Sequence, residues 1–362
     1  MSEFYCKKAL KPMTSLHAAP MPFCDDYQRG DALEYYELGA SFDSAPPICV
    51  KIFPDIGAKS SGLCFDGQPY ELYGDMWDPY LYLSAPWGSY IPYPTPNRVR
   101  NGVFTFRGER VTMQKFGRLR DSHGIAYDSR WNYDEPVVSD GSVSMRLWLE
   151  IRPGNENFEA FPYHNRLTVE YRLSERCLTF SYCVENLDDR PMPYGICKHP
   201  FFMRADPTEP VEIQVAADDV YETTPDLLPT GRFLAVKDHP ELDLRSFRSL
   251  DDICMDHIFT HLHTDSVHLR YPRRGQQLRI QMSEEFRNVV VFTMKAYQDL
   301  FPPNDLPEVF SVECQTCCTD AINMHEQGFS ESGLIILQPG QSHQGWIRYL
   351  FEEIKGENVH EI

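Results

Sequence analysis

Apolar and polar residues alternate along much of the chain, and this period of two predicts β-strands rather than helices. Two alternating runs within residues 167–185 flank the break Ser174-Glu175-Arg176 and predict a hairpin with one apolar face. A second hairpin is predicted for residues 267–282, across the turn Pro272-Arg273-Arg274-Gly275. Further strands are predicted at 143–149, at 289–292 and on both sides of Pro339-Gly340 within 334–351.

The absence of a helical pattern completes the prediction of fold class. No long segment carries the apolar spacing of an amphipathic helix, and 28 prolines interrupt the chain. The expected class is therefore all-β, a large antiparallel β-sandwich in which the apolar face of one sheet packs on another. Residues 43–362 are expected to form a single domain. Residues 1–42 are poorly patterned, and we expect an N-terminal extension over the domain edge.

Composition and charge narrow the classes of function. The 362 residues include 34 Lys+Arg and 53 Asp+Glu, and the resulting net charge of −19 repels nucleic-acid phosphates and anionic lipids. No apolar run approaches the roughly 20 residues of a spanning helix, and the N-terminus lacks the pattern of a secretory signal. An odd number of cysteines, 11, is typical of free thiols in a reducing compartment. We expect a cytoplasmic monomer or homodimer without nucleic-acid or membrane partners.

Candidate chemistry lies in five short segments that are far apart in the chain. Taken singly, each has an ordinary explanation, since a lone histidine is usually a surface or core residue and a strand glutamate usually faces solvent. Arg98 could be a surface cation, and Asp256 could cap a turn. The segments are Asn97-Arg98 with Gly102, His123-Gly124, His199-Pro200-Phe201-Phe202, Asp256-His257 with Phe259, and Glu313 with Gln315 and Asp320-Ala321 with Asn323.

In this order, and with Pro229-Thr230-Gly231 between them, the segments resemble the aldose 1-epimerase (galactose mutarotase) family over roughly residues 45–351. The resemblance implies a galactose mutarotase-like supersandwich, in agreement with the strand pattern. It also implies an isomerase that acts on a small-molecule sugar and needs no metal or other cofactor. Departures from the family pattern at Ile125, Phe201 and Cys314 concern pocket shape, and therefore the identity of the sugar.

The resemblance assigns roles residue by residue. It implies that His199 is the general acid, that Glu313 is the general base, and that His123 is a second active-site histidine near the ring oxygen. Asn97, Arg98 and Asp256 would hold sugar hydroxyls, and Trp131 would form an apolar wall. The chemistry suits these residue types, because opening a hemiacetal requires a base at the C1 hydroxyl and an acid at the ring oxygen.

Several alternatives stay open from the sequence alone. A hexose-6-phosphate 1-epimerase would need a cationic pocket mouth, for which Arg98, Arg100, Arg107, Arg110 and Arg118 are available. A non-catalytic carbohydrate-binding protein on the same fold would lack the acid or the base. A glycoside hydrolase would need paired carboxylates. A metal site is the remaining rival, at His257, His261 and His263 or at the Cys314–Cys317 pair.

Overall fold

The computed structural model describes residues 3–12, 32–71, 88–204, 206, 208–296 and 309–354. Within these ranges almost all regular structure is antiparallel strand, and the two α-helices are short: α1 (Glu156–Ala160) and α2 (Ala321–Glu326). No helix in this part of the chain is long and apolar enough to cross a membrane.

The strands of the first part of the chain, up to residue 139, are β1 (Glu3–Pro12), β2 (Ala32–Ser41), β3 (Ile48–Phe53), β4 (Lys59–Phe65), β5 (Gln68–Pro69), β6 (Ser89–Tyr90), β7 (Val103–Phe106), β8 (Glu109–Thr112), β9 (Gln114–Lys115), β10 (Arg118–Leu119), β11 (Asn132–Tyr133) and β12 (Val137–Ser139). Those of the second part are β13 (Ser142–Ile151), β14 (Asn165–Ser174), β15 (Cys177–Asn186), β16 (Met192–Tyr194), β17 (Cys197–Met203), β18 (Glu212–Thr223), β19 (Pro229–Ala235), β20 (Arg248–Ser249), β21 (Asp256–Tyr271), β22 (Gln276–Met282), β23 (Asn288–Thr293), β24 (Val309–Gln315), β25 (Ile335–Leu337) and β26 (Ser342–Glu353).

The predicted hairpins are confirmed. β14 pairs with β15, and β21 pairs with β22 across the Pro-Arg-Arg-Gly turn, where Gly275 adopts a φ of +63°. The strands predicted at 143–149 and 289–292 lie within β13 and β23. The two strands around Pro339-Gly340 are also present, although they do not pair with each other: β25 pairs with β16, and β26 pairs with β15 and β22.

The fold is the predicted all-β sandwich, with one large apolar core between opposed strand faces. On β14, the buried side chains Leu167, Val169, Tyr171 and Leu173 alternate with more polar ones, so a single face of that strand turns inward. The N-terminal strands pack against the C-terminal ones, as Phe65 of β4 stacks on Phe351 of β26 at a ring-centroid distance of 4.4 Å. The Tyr171 hydroxyl donates to the Ala58 carbonyl across the same core.

Residues 1–42 were predicted to form an N-terminal extension, and the described part of this segment forms two strands. β1 and β2 pair along ten residues, and β2 continues the sheet by pairing with β3. Tyr36, Leu38 and Ala40 are buried in the main core. Residues 32–41 therefore contribute to the sandwich.

Five paired strands bring His199, Glu313 and Asp256 together. β17 pairs with β24 on one side and with the two-residue β6 on the other, and β24 pairs with β23. β23 in turn pairs with the beginning of β21. β17 and β24 are buried along their entire length. Polar side chains on these two strands therefore project into the protein rather than into bulk solvent.

Candidate active site

His199 and Glu313 meet across the β17–β24 pair. The pairs Lys198–Cys314 and Phe201–Ser311 bracket them in the antiparallel register. Their side chains are in contact, with 3.0 Å between His199 Nε2 and Glu313 Oε1. Both residues are almost fully buried, at 5% and 3% exposure. Two residues 114 positions apart therefore form one acid–base pair.

Ser311 orients the imidazole from the other side. Its hydroxyl donates to the Pro200 carbonyl at 2.7 Å and lies 3.1 Å from His199 Nδ1. Because the single hydroxyl proton is used on Pro200, the serine oxygen accepts the proton of Nδ1. This assignment of the tautomer leaves Nε2 directed at Glu313, which is the arrangement that proton exchange between the two side chains requires.

The electrostatics of the pair favour its neutral form. Burial, followed by the charge of Asp256, raises the pKa of Glu313 well above its usual range. Burial, followed by His123, lowers the pKa of His199 well below its usual range. The proton between the two therefore resides on the carboxyl in the free protein, and His199 Nε2 accepts the resulting hydrogen bond.

His123 reaches the pair from a loop whose backbone is tightly determined. The His123 amide donates to the Asn97 carbonyl, and the imidazole lies edge-on to His199 at a centroid distance of 5.3 Å. Both His123 and Gly124 have positive φ. A Cβ at Gly124 would lie 2.3 Å from the Tyr93 carbonyl oxygen, so only glycine fits there. The close approach of the Tyr93 carbonyl thus explains why a glycine follows His123.

Asn97 and Arg98 lie beside His123. Arg98 forms a β-bridge with Ser122, and its positive charge, added to burial, lowers the pKa of His123 to about 4. Among the described residues, the buried Arg98 Nε has no hydrogen-bond partner. Asn97, Arg98 and His123 are each half-buried, so this side of the acid–base pair borders solvent. A polar ligand entering there would find an unsatisfied donor.

Asp256 begins β21 at the opposite side of the pair. Its charge acts on Glu313, which places the two carboxyl groups in one electrostatic environment. It is half-buried, as His123 and Arg98 are. The structure therefore gathers His199, Glu313, His123, Arg98, Asn97 and Asp256 around one location.

Aromatic side chains border this location, although Trp131 is not placed among them. The Tyr90 ring stacks on His199 at 4.4 Å, and Phe201 lies 4.9 Å from the same imidazole. Trp131 was predicted to form an apolar wall of the pocket. It is packed instead in the main core, where its indole NH donates to the Ala126 carbonyl.

The alternative metal ligands are engaged separately. His261 Nδ1 lies 2.8 Å from an Asp219 oxygen, and His263 Nε2 lies 2.8 Å from an Asp218 oxygen. Within the described ranges, no group of three or more His, Cys, Asp or Glu side chains is arranged to hold a metal ion. Cys314 and Cys317 are both buried as free thiols.

Comparison with known proteins agrees with this geometry. The sequence model of the aldose 1-epimerase family matches residues 53–350, most of the chain. The chain belongs to the aldose 1-epimerase family. The match begins at the end of β3 and includes every candidate residue, so the strands that carry the acid–base pair all lie within the family region.

Solved structures with the same fold include other proteins described as epimerases or mutarotase-like. A galactose mutarotase-like protein from Clostridium acetobutylicum has 17% identity and a TM-score of 0.72, covering 89% of this chain and 96% of its own. The galactose 1-epimerase from Lactobacillus acidophilus NCFM has 16% identity and a TM-score of 0.71, covering 97% and 99%. A GalM/aldose epimerase homologue from C. elegans has 19% identity and a TM-score of 0.68, covering 85% and 96%. At these identities the likeness shows the fold.

The sequence pattern did not indicate two residues of the candidate site. Ser311 lies two positions before Glu313 on β24, and the strand period of two would have placed both on one face. Tyr90 contacts His199 only because β6 pairs with β17. That pairing joins segments more than 100 residues apart, and no local pattern in the sequence indicates it.

Proposed function

We propose that this protein is an aldose 1-epimerase that interconverts the α and β anomers of a free aldohexose. The observation that carries the proposal is the contact between His199 Nε2 and Glu313 Oε1, with half-buried hydrogen-bonding residues on both sides. An acid and a base this close together can serve the two oxygens bonded to C1 of one sugar ring. The cytoplasm is the proposed location, because the 11 cysteines suit a reducing compartment.

The proposed reaction opens and recloses a hemiacetal. Glu313 removes the proton of the C1 hydroxyl while His199 Nε2 protonates the ring oxygen, and the bond between C1 and that oxygen breaks. Rotation about C1–C2 presents the other face of the aldehyde. Glu313 then returns its proton to the carbonyl oxygen as His199 recovers one from the attacking hydroxyl. Each positioned group contributes about 10²–10⁴-fold to the rate of such a step.

Substrate binding must move the shared proton of the pair from Glu313 to His199. The working form has an ionised Glu313 and a protonated His199, and it differs from the neutral form by transfer of one proton over 3.0 Å. Ser311 supports the working form, since it already accepts the Nδ1 proton of His199. Both forms hold the same number of protons, so activity is expected over the pH range in which the pair carries one shared proton.

The flanking residues would hold the sugar. Arg98 offers an unsatisfied Nε donor, and Asp256 offers acceptors. His123, whose pKa is lowered to about 4, is neutral at physiological pH. It would therefore hold a sugar oxygen through a hydrogen bond rather than a charge, which leaves His199 as the proton donor.

A neutral sugar suits the pocket better than a sugar phosphate. Arg100 lies beside Asp320, with 3.9 Å between Arg100 Nε and Asp320 Oδ2, and its backbone amide donates to the same carboxylate. The hydrogen bond from Thr224 lowers the pKa of the exposed Asp226, and the charges of Arg100 and Arg98 add a smaller lowering. The charge of Arg100 is thus partly offset by Asp320, which disfavours phosphate.

Anomer exchange measured by saturation-transfer NMR tests the proposal. Glucose, galactose and glucose 6-phosphate are compared at equal concentration, with the spontaneous rate in matched buffer subtracted. We expect accelerated exchange of a neutral aldohexose and a much smaller acceleration of the phosphate. Exchange rates equal to the buffer rate for every sugar would overturn the proposal. Faster exchange of the phosphate would instead support hexose-6-phosphate 1-epimerase activity.

A further inference from the structure

A buried lysine that the proposed mechanism does not use lies next to the candidate acid. Lys198 precedes His199 on β17 and is only 1% exposed. Its ammonium group donates to the Ser89 carbonyl at 2.7 Å, to the Tyr171 hydroxyl at 2.9 Å and to Ser60 Oγ at 3.1 Å. One cation therefore links strands β4, β6 and β14 to the strand that carries His199.

The bond to Ser89 leads directly to the imidazole. Ser89 and Tyr90 form all of β6, and they pair with Pro200 and His199. The Tyr90 ring lies 4.4 Å from His199 with 27° between the planes, and 5.5 Å from His123 with 89° between the planes. The orientation of both imidazoles thus depends on where a two-residue strand is held.

Stability alone does not explain an ammonium group at this place. Burial lowers the pKa of Lys198 to about 7 and raises the pKa of Glu71, its oppositely charged neighbour, to about 7. Replacing a buried ion pair with apolar residues is often neutral or stabilising. An apolar side chain could fill the same space, but it could not donate to the Ser89 carbonyl.

We propose that Lys198 and Tyr90 are positioning residues for His199: the ammonium holds β6, and β6 holds the Tyr90 ring against the imidazole. The catalytic consequence rests on the proposed function, because it assumes that His199 is the acid. Displacing the ring would change the direction of Nε2 relative to Glu313 while leaving Arg98 and Asp256 in place. The loss should therefore fall mainly on kcat, with a smaller rise in KM because Tyr90 also contacts His123.

The arrangement can be tested in the full-length protein without any sugar. A stacked aromatic ring shifts the proton resonances of His199, which can be assigned with a His199→Asn variant. We expect the Tyr90 part of this ring-current shift to disappear in Tyr90→Leu and to be largely lost in Lys198→Met, while the part from Phe201, 4.9 Å away, stays. Tyr171→Phe is the matched control, since it removes one partner of Lys198 but leaves the bond to Ser89. It should keep the shift.

Kinetics supply the second measurement. Lys198→Met should lower kcat about 10- to 100-fold, the scale on which small misplacements of reacting groups act. The double variant Lys198→Met/Tyr90→Leu should be no slower than Tyr90→Leu, because two residues acting through one contact are not additive. If Lys198→Met does not fold, Lys198→Met/Glu71→Gln removes the unpaired carboxyl and replaces it in both measurements.

The outcomes separate this inference from the proposed function. An unchanged His199 shift in the lysine variant, or additive losses of kcat in the double variant, would overturn the positioning role. Loss of the shift in Lys198→Met but not in Tyr171→Phe would support it. A wild-type protein that shows the stacked shift but exchanges no anomers would support the arrangement and refute the proposed function.

Discussion

The side chains of His199 and Glu313 illustrate how burial makes ordinary residues reactive. At 3–5% exposure each loses the hydration of its charged form, so the carboxyl holds its proton and the imidazole releases its own. Their contact lets the single shared proton move from the carboxyl to the imidazole over 3.0 Å. This condition suits a reaction that must run in both directions with the roles of acid and base exchanged.

Ser311 gives a prediction at the residue scale. Ser311→Ala removes the acceptor of the His199 Nδ1 proton, so the imidazole can turn away and kcat should fall about tenfold. Ser142→Ala is the control, because it removes a buried, hydrogen-bonded serine from β13, which carries none of the candidate residues. Equal kcat in both variants would show that Ser311 does not orient His199.

Some residues of the candidate site could be predicted from the sequence and others could not, and the difference has physical causes. His199, Glu313, His123, Arg98 and Asp256 were proposed from motifs in a particular order, and the structure gathers them in one place. Trp131 was assigned to the pocket wall from the resemblance, but an aromatic side chain packs equally well in a hydrophobic core, where Trp131 lies. Tyr90 depends on strand pairing between distant segments, which a local pattern does not encode.

At the scale of elements, the 123–129 segment shows how a strained loop is held. Lys115 is fully buried, and its ammonium donates to the Ile125 carbonyl, to Asp128 at 2.6 Å and to Ser129. The Ile125 amide in turn donates to the Tyr93 carbonyl. These bonds hold the His123-Gly124 turn in its left-handed conformation despite the cost of a positive φ at histidine.

Alanine substitutions at two glycines, Gly124 and Gly117, distinguish the effect of backbone strain from the effect of a steric clash. Gly124→Ala places a Cβ 2.3 Å from the Tyr93 carbonyl oxygen, whereas Gly117→Ala, at a similar φ of +70°, meets no atom within 4 Å. Gly117→Ala should cost about 1 kcal/mol of unfolding free energy with little change in kcat. Gly124→Ala should cost more in urea unfolding and should also lower kcat. Equal effects of the two substitutions would contradict the packing described here.

Hairpins with strict alternation were predicted correctly because the sequence pattern and the local pairing coincide. β14–β15 and β21–β22 are of this kind. β17 and β24 lack alternation because both of their faces are buried. The sequence pattern therefore does not indicate which of their side chains face the site. The fold class is thus accessible from local pattern, whereas the pairing of β6, β17 and β24 is a property of the assembled sheet.

For the whole molecule, the two histidines of the candidate site, His123 and His199, predict a dependence of stability on pH. The pKa of His123 is about 4 in the folded protein, compared with about 6.5 in an unfolded chain. Between these values the unfolded state binds a proton that the folded state does not, so stability falls as the pH decreases from about 6.5 to about 4. His199 acts in the same direction.

Thermal unfolding across this pH range provides the measurement. The Tm of His123→Gln should fall less than that of the wild type as the pH decreases from 6.5 to 4. His239→Gln is the control, because that histidine lies at the surface. A variant at position 123 whose Tm follows the wild-type curve throughout would show that His123 titrates normally in the folded protein.

The central claim is that one imidazole and one carboxyl group exchange anomers of a free sugar, and polarimetry of freshly dissolved α-D-glucose or α-D-galactose tests it most directly. Glu313→Gln replaces a neutral buried carboxyl with a neutral amide of equal size, and His199→Asn removes the imidazole. We expect the wild type to accelerate mutarotation of at least one of the two sugars. Each variant should lose at least 100-fold of that acceleration while remaining folded by circular dichroism. Mutarotation near the wild-type rate in either folded variant would contradict the account.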